Sequence, residues 1–370
     1  MDRWLQEIAV TRFRFMRVSR ATGNETERLT MLKGGTITRN NDVRIAENAT
    51  VEVVGDFNIG PDFVRIYMDC EWYDGHTESV ALGTFIPSVP SRNVNSGYST
   101  SSVDLYGRLQ ELMDDSFTEP VTLEPGTNAV EYAAQVCRDM GLEVLADESS
   151  YTISRARSYG LGATQSNSET DDTKLGMVND LLSLADFQAA KTDPLGRVLL
   201  KKYVAPEDKE PIWSFIEGVD AKFEAEMTDE RDTMSVANHV VVYYRGEEET
   251  CRGEAWDHAT EFSVENQGRV ITKTYEYTEL PEGKTASDRT QYAMNRAQSL
   301  LTTAQAVIRR IKFSHAYAPV TITDSAYMSF PSGDIDGKFE IRTMTIHLVG
   351  GGRCDTEGRQ FQRTRARDRQ

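Results

Sequence analysis

Residues able to act in catalysis or to bind a metal are few in this chain of 370 residues, and most of them stand alone. The five histidines show no HExxH spacing and no other pairing: His76, His239, His258, His315 and His347. Histidines that share a metal normally recur at a spacing that places them on one face of an element. We therefore interpret each histidine as a surface or core residue, and the sequence predicts no metal site.

One short segment combines the residue types of acid–base catalysis. Glu254, Asp257 and His258 lie close together in the sequence, and carboxylates and imidazoles are the usual proton-transfer groups. Neighbouring carboxylates are nevertheless common on an acidic surface, and Trp256 between them is typical of an anchored loop. We favour the loop interpretation over a catalytic one.

Two further segments resemble ligand-binding loops only in part. Asp334-Ile335-Asp336-Gly337 begins like a calcium loop but lacks the third acidic position and the closing glutamate, so it predicts a β-turn before a strand at Phe339. Gly160-Leu161-Gly162 lies in a polar stretch and does not lead from a strand into a helix, as a dinucleotide loop would. The sequence also lacks GxSxG and GxxxxGK(S/T) motifs. We expect no cofactor and no enzymatic activity, and we assign no catalytic residue.

Aromatic residues could provide stacking surfaces. The segment Arg12-Phe13-Arg14-Phe15 interleaves rings with positive charge, as sites for single-stranded nucleic acid do. The period of two in a strand, however, places the rings and the guanidinium groups on opposite faces. Trp72, Trp213 and Trp256 could instead form sugar platforms, although Trp72 falls on the apolar face of its strand, which favours a core position.

The overall composition excludes several classes of protein. There are 41 Lys and Arg residues against 58 Asp and Glu, for a net charge of −17, which disfavours DNA wrapping and binding to an anionic membrane. No apolar run approaches the roughly 20 residues that cross a bilayer, and the first residues do not resemble a secretory signal. The cysteines form no CxxC pair, and we expect reduced thiols in a protein made in a cytoplasm: Cys70, Cys137, Cys251 and Cys354.

Positive charge is concentrated at the two ends of the chain. Residues 1–20 hold five arginines against two acidic residues, and residues 353–370 hold six against three. Either these ends are simply solvated, or they contact acidic partners, which include other copies of the chain.

Periodicity divides the chain into three regions, of which the first, 1–102, is rich in strands. Residues 63–72 alternate apolar and polar side chains, which predicts a half-buried strand. Asp74-Gly75 follows and predicts a type I′ hairpin turn. Several short strands with polar turns between them indicate a small β-barrel-like domain.

The second region, 103–232, is predicted to be α+β. Its helix nearest the centre has Thr127 as its expected N-cap and Gly141 just beyond its end. The polar stretch near 155–173 predicts a mobile loop. The three predicted helices cover residues 103–115, 128–140 and 174–189.

The third region, 233–352, returns to strands. The apolar run 240–244 is typical of a strand covered on both faces. A long helix is predicted at 287–311, with Thr285 and Asp288 as a capping box. After Gly350-Gly351-Gly352 we expect a basic C-terminal tail, 353–370. The predicted fold class is α+β, mainly β, in which two small β-barrel-like domains flank an α+β domain and the second barrel carries the long inserted helix.

Several segments also follow one another in a characteristic order. They are Asn41-Asp42-Val43-Arg44-Ile45, Asp62-Phe63-Val64-Arg65-Ile66-Tyr67, Leu82-Gly83-Thr84-Phe85-Ile86-Pro87, Val178-Asn179-Asp180-Leu181-Leu182, Thr192-Asp193-Pro194-Leu195-Gly196-Arg197, Val236-Ala237-Asn238-His239-Val240 and Gly337-Lys338-Phe339-Glu340-Ile341. This layout resembles the central tail-hub, or baseplate hub, proteins of tailed bacteriophages. It also resembles the hub part of the spikes of contractile injection systems.

The resemblance implies a structural virion protein that forms a homotrimer at the distal tip of a phage tail. Its two β-domains per subunit would give six around an axis and adapt the six-fold tail tube to a three-fold tip. The implied partners are the distal tail protein, the tube and tape-measure proteins, and receptor-binding or fibre proteins. DNA would pass through the hub during genome ejection without specific binding, and the protein would be assembled in the host cytoplasm.

Two other functions remain open from the sequence. One is another structural role at the tail tip, such as a distal tail ring or an adaptor. The other, from a different class, is a carbohydrate-binding protein with β-domains, which would use exposed tryptophans as platforms.

Overall fold

The computed structural model describes residues 3–55, 57–88, 91–95, 98–153, 155–160, 172–206, 208–218, 221–231, 236–245, 250–260, 262–277, 285–304 and 307–362. Strands predominate over helices within these ranges. The predicted α+β, mainly β, class is therefore confirmed.

The first region folds into strands, as predicted. Val64, Ile66, Met68, Cys70 and Trp72 are all buried on one face of the fifth strand, because alternate side chains of a strand point the same way. The strands are β1 Ile8–Val18, β2 Glu25–Arg28, β3 Leu32–Asn40, β4 Glu47–Val54, β5 Phe63–Trp72, β6 Thr77–Pro87, β7 Ser91–Asn95 and β8 Tyr98–Gly107.

The predicted hairpin between β5 and β6 forms, but its turn is of another type. Gly75 has a positive φ of 82°, whereas Asp74 is not among the residues with positive φ. The Gly75 amide donates to the Trp72 carbonyl, and the Trp72 amide donates to the His76 carbonyl. The loop is thus one residue longer than a type I′ turn, with glycine in the left-handed position that closes it.

The second region contains short helices and strands. The first predicted helix is largely wrong, since residues 103–107 continue β8, whose side chains Val103 and Leu105 alternate into the core. Asn128, not Thr127, caps the next helix, and its side chain accepts from the Glu131 amide. The elements are α1 Gln110–Asp114, β9 Val121–Leu123, α2 Ala129–Asp139, β10 Val144–Ala146, β11 Arg157–Tyr159, α3 Lys174–Leu184, β12 Lys191–Thr192 and β13 Val198–Leu200.

The stretch expected to be a mobile loop, 155–173, is only partly described. Its residues Arg157–Tyr159 form β11, which pairs antiparallel with β9. Residues 161–171 lie outside the described ranges. The prediction of a mobile loop is therefore wrong for residues 157–159, which form a strand.

The remaining strands begin near the end of the second region and continue through the third region to residue 362, and the third region holds the longest described helix. Thr285 and Asp288 form the predicted capping box, in which the side chain of each accepts from the backbone amide of the other. The elements are β14 Trp213–Ile216, β15 Phe223–Arg231, β16 His239–Arg245, β17 Thr250–Trp256, α4 Val264–Gln267, β18 Thr272–Tyr277, α5 Ala286–Ala304, β19 Val307–His315, β20 Ser325–Phe330, β21 Ile335–His347 and β22 Cys354–Gln362.

The helix predicted at 287–311 is too long at its C-terminal end. Helix α5 ends at Ala304, and β19 begins at Val307. Arg309, Ile311, Phe313 and His315 are all buried, which is a period of two. Ile311 fits a helical stripe as well as a strand, but the burial of every second residue decides in favour of the strand.

The predicted basic tail, 353–370, is also wrong for half of its length. Cys354–Gln362 is strand β22, which pairs antiparallel with β19 on one side and with β21 on the other. Gly351 and Gly352, with positive φ of 90° and 59°, turn the chain back toward β21 instead of releasing it. Residues 363–370 lie outside the described part of the chain.

The strands of the first and third regions share one sheet instead of forming two separate ones, and β14 and β15 from the end of the second region and β22 beyond residue 352 also belong to it. In the described residues this sheet has 14 strands in the order β15-β19-β22-β21-β3-β4-β8-β6-β5-β1-β2, with β7, β14 and β20 paired beside this path. The junction is the antiparallel pair of β3 and β21, which runs from Thr343 opposite Asn40 to His347 opposite Thr36. We call this pair the seam. In the described part of the chain, the order of strands runs from β15 at one end to β2 at the other and does not close on itself. The two predicted small barrels are therefore not seen as closed barrels among the described strands.

Two smaller units have cores of their own. The second region has its own core, formed by α2, α3 and the parallel pair of β10 and β13. In the third region, β17, β16 and β18 form a separate three-stranded sheet, and α5 packs on one of its faces. Its core contains Ala237, Val240, Val242, Ala293, Ala297 and Leu301.

Candidate functional site

The histidines are placed at separate points of the fold. His315 is buried, donates from one ring nitrogen to the Ala316 carbonyl at 2.6 Å and accepts from the Thr356 hydroxyl at 2.8 Å on the other. Burial lowers the pKa of His315 to about 4, so its ring is neutral at pH 7. Among the described residues, no group of three or more His, Cys, Asp or Glu side chains is arranged to hold a metal ion.

The three residues considered for acid–base catalysis do not converge. The Glu254 carboxylate contacts Arg252 at 2.6 Å and His239 at 3.4 Å. Asp257 is buried and accepts from the Ala259 and Thr260 amides, which shapes the loop after β17. His258 turns away to Glu265 at 2.7 Å. The structure therefore does not assemble a catalytic pair from these residues.

The segments considered as a calcium loop and as a stacking surface also form ordinary turns and strands. Asp334 has a positive φ of 52° at the end of a short 3₁₀ turn, and strand β21 starts immediately after it at Ile335. Asp336 accepts from the Tyr327 hydroxyl at 2.6 Å. In β1, Phe15 is buried while Arg12 is exposed, as the period of two predicts. Gly160 is described, but the rest of the glycine segment, 161–162, lies outside the described ranges.

The three tryptophans considered as sugar platforms differ in exposure. Trp72 and Trp213 are buried, and Trp256 is 41% exposed. The Trp256 ring is stacked on the His239 ring, with centroids 3.6 Å apart and an interplanar angle of 15°. One face of the only exposed ring of the three is thus already occupied by a protein side chain, which disfavours a sugar platform there.

Hydrogen bonds and close packing form a well-defined contact between the second region and the large sheet. It is built on the 193–196 turn, between β12 and β13. The Asp193 carboxylate accepts from the amides of Leu195 and Arg197, which fixes this turn. The turn carbonyls then accept from the sheet: Leu195 from the Arg65 guanidinium at 3.1 Å, and Pro194 from the Thr84 hydroxyl at 3.0 Å.

Gly196 allows this close approach. Its φ is +84°, and a Cβ at this position would lie 3.1 Å from the Thr84 side chain and 3.2 Å from that of Arg108. The sequence predicts a turn at Asp193-Pro194-Leu195-Gly196 but not its contact with strands more than 100 residues earlier. The glycine two positions after an Asp-Pro pair was the available signal.

A second contact joins the same two parts around one buried aromatic ring. The Phe63 ring of β5 contacts two guanidinium groups, that of Arg20 at 4.5 Å and that of Arg108 at 4.1 Å from the ring centroid. Glu111 of α1 binds both arginines. These cation–π contacts and ion pairs tie the start of the second region to the sheet.

The seam carries its own ion pairs. Asp42 follows β3 and accepts from Arg342 of β21 and from Arg359 of β22, the latter at 2.6 Å. Burial acts to raise the pKa of Asp42, but the two guanidinium groups outweigh it and hold that pKa below its usual value. The carboxylate therefore stays ionised and links the chain's first 50 residues to strands β21 and β22.

None of the described helices is long and apolar enough to cross a membrane.

No protein-family model matches the sequence, and no curated protein matches it. Solved structures do share its fold. A tail protein from Neisseria meningitidis MC58 aligns with a TM-score of 0.66 and 11% identity, over 94% of this chain and 97% of that chain. The 43 kDa tail protein of prophage MuSo2 from Shewanella oneidensis aligns with a TM-score of 0.61 and 10% identity, over 94% and 98%.

A chain of the Francisella PdpA-VgrG complex aligns with a TM-score of 0.56 and 7% identity, over 96% of this chain and 59% of that longer chain. At these identities the similarity is one of fold. The fold is thus one shared with phage tail proteins and with a chain of a PdpA-VgrG complex. The resemblance to tail-hub proteins inferred from the sequence is confirmed at that level.

Proposed function

We propose that the chain is a structural protein of a phage tail, and more specifically a trimeric hub at its distal tip. The observation that carries the proposal is the alignment with a tail protein over nearly the full length of both chains. A match of this extent covers the sheet, the second region and the contacts between them. The dispersal of the candidate catalytic residues supports a role in assembly instead of in catalysis.

In this proposal, the strands of residues 1–102 and 233–352 form a ring with their copies, and residues 103–232 bracket it. The sheet supports this arrangement because β2, its terminal strand within residues 1–102, has one edge without a partner strand among the described residues. Unpaired edges are the parts of a sheet that pair with another chain most readily. Three copies would match a six-fold tube to a three-fold tip.

The net charge of −17 fits a channel that DNA crosses without being held, because an acidic wall repels phosphates. The proposed partners are the distal tail, tube and tape-measure proteins and the receptor-binding or fibre proteins. The proposed location is the tip of the virion, after assembly in the host cytoplasm.

The test is the oligomeric state of the full chain, followed by imaging of the particle that contains it. Mass photometry is expected to give a species three times the mass of the chain at high concentration, and three-fold averaging of the tail tip should place this fold around the axis. A six-fold ring would instead support the distal tail ring, and a monomer that binds a polysaccharide would support the carbohydrate-binding alternative. A ring with a basic lumen would contradict the proposed role of the acidic charge.

A further inference from the structure

A small cavity of about 200 Å³ lies between the second region and the large sheet. One wall comes from Gln188–Thr192 and the strand after it, and the other from Ala46, Glu47 and the loop 321–324. Ala46, Ala189, Leu199 and Ile322 supply apolar surface between the polar groups.

Lys191 of β12 is the cation of this cavity that lacks a partner. Within the described residues, its ammonium group makes no hydrogen bond and no close ion pair. Burial lowers the pKa of Lys191 to about 8, so most molecules carry the positive charge at pH 7. A desolvated ammonium without a partner is unfavourable, and an anionic group bound beside it would relieve this.

Asp324 is the anion on the opposite wall. Its carboxylate accepts from the Thr321 amide at 2.7 Å, but it forms no close ion pair among the described residues, and burial raises its pKa. Lys191 and Asp324 influence each other electrostatically without touching. The cavity thus separates one positive from one negative group.

The loop that carries Asp324 is held in an unusual conformation. Thr323, a β-branched residue, has a positive φ of 70°, which such residues rarely adopt. The Thr323 amide donates to Ile341, and its carbonyl accepts from Lys209 at 2.8 Å. These contacts fix the loop, so that Asp324 keeps its place on the cavity wall.

The other charged groups in and around the cavity form close ion pairs. Glu47 pairs with Arg39, Glu340 with both Lys209 and Arg342, and Lys201 with Asp147. At longer range Glu340 attracts Lys191, and Lys209 and Arg39 attract Asp324. Among the charged residues that line the cavity in the described part of the chain, the Lys191 ammonium and the Asp324 carboxylate are thus the two without a close ion pair.

We propose that this cavity binds a small zwitterion of the α-amino-acid class, whose carboxylate contacts Lys191 and whose ammonium contacts Asp324. The volume favours a short side chain, which would rest on the alanine, leucine and isoleucine walls. Binding would bridge the second region and the sheet. This inference is independent of the proposed role in a phage tail.

Calorimetric titration of the full chain with glycine, L-alanine and L-serine tests the proposal. We expect saturable binding of L-alanine. Propionate and propylamine should bind at least about tenfold more weakly than L-alanine, since each satisfies only one of the two charges. Binding of L-alanine should weaken above pH 8 as Lys191 loses its proton. Absence of saturable binding by all three amino acids, or equal binding of propionate, would overturn the proposal.

Two variants locate the site, and a third serves as control. K191M and D324N should each weaken L-alanine binding at least tenfold, while K273M, at an exposed lysine of β18, should leave it unchanged. If D324N does not fold, hydrogen exchange of the wild-type chain decides instead, since L-alanine should protect amides in 188–192 and 321–324. Binding that survives in K191M, or protection confined to other segments, contradicts the assignment.

Discussion

Gly253 of β17 lies directly beneath the backbone of Ala293 in helix α5, so close that a methyl group on Gly253 would overlap the Ala293 carbonyl. Ala293 itself is fully buried. The helix therefore rests on the backbone of the strand, with no side chain between them, and a single hydrogen atom at position 253 sets the distance between α5 and its sheet.

Replacing Gly253 by alanine should push α5 away from β17. We expect Gly253→Ala to lower the free energy of unfolding by roughly 1–3 kcal/mol, the usual range for overpacking a filled core. Chemical denaturation measures the change. Gly350→Ala is the matched control, because Gly350 has open space around it and no positive φ; an equal effect of the two substitutions would contradict the packing argument.

Gly196 tests the contact between the second region and the sheet. Gly196→Ala meets both a positive φ and the side chains of Thr84 and Arg108, whereas Gly126→Ala meets a similar φ of 90° in open space. Alanine at Gly126 should cost about 1 kcal/mol, and alanine at Gly196 clearly more. Limited proteolysis should also release the second region more readily in Gly196→Ala. Equal losses of stability would mean that the 193–196 turn contributes only its backbone conformation.

His315 should make the stability depend on pH. Its folded-state pKa of about 4 lies below the value of 6.5 for a free histidine, so the unfolded chain takes up the proton first. Its contribution is present at neutral pH and is lost as the pH falls through 6.5 toward 4. Between pH 8 and pH 5 we expect a loss of about 2 kcal/mol from this residue. Denaturation of His315→Gln across the same range should show a correspondingly smaller loss, and an unchanged pH dependence would refute the assignment.

Asp42 should contribute to the seam through its charge. Asp42→Asn is expected to destabilise the fold by about 1 kcal/mol at pH 7, in keeping with partly exposed ion pairs. Because the folded-state pKa of Asp42 is lowered, this contribution is present above the unfolded pKa and disappears as the pH falls through the lower one. Thermal melts at pH 7 and pH 3 measure it. Glu52→Gln, on an exposed position of β4, serves as control, and the idea fails if both variants behave alike at pH 7.

Two truncations separate the strand from the basic end that follows it. Removal of residues 353–370 deletes β22 from between β19 and β21 and should prevent folding. Removal of 363–370 alone takes away four arginines and should leave the free energy of unfolding nearly unchanged. Circular dichroism and denaturation check both. If the shorter truncation also leaves particle assembly intact, the C-terminal arginines have no role in contacts with partners.

The sequence predicts best those elements whose burial pattern is local. Strand β5 follows directly from the alternation of Val64, Ile66 and Met68, and the Thr285–Asp288 box marks the start of α5. The end of α5 could not be predicted in the same way, because Ile311 satisfies a helical stripe and a strand face equally. Its strand partner in β22 lies almost 50 residues later.

Local sequence patterns could not predict that the strands form a single sheet, for the same reason. The partners in the seam, such as Ile37 and Ile346, are separated by most of the chain, and nothing in either strand alone specifies the other. The cavity between Lys191 and Asp324 was predicted least well. Lys191 and Asp324 are ordinary residues in the sequence, and only the approach of two separate regions gives them a common cavity.

The position of β22 also has a consequence for biosynthesis. Among the described strands β22 comes last along the chain, yet it lies between β19 and β21, and β21 in turn pairs with β3. Until residue 362 has been made, β19 and β21 are nascent strands with open edges, and long-range pairings of this kind form slowly. We therefore expect the newly made chain to depend on chaperones until β22 is inserted, and a ribosome stalled shortly before residue 362 to hold a chain prone to aggregation.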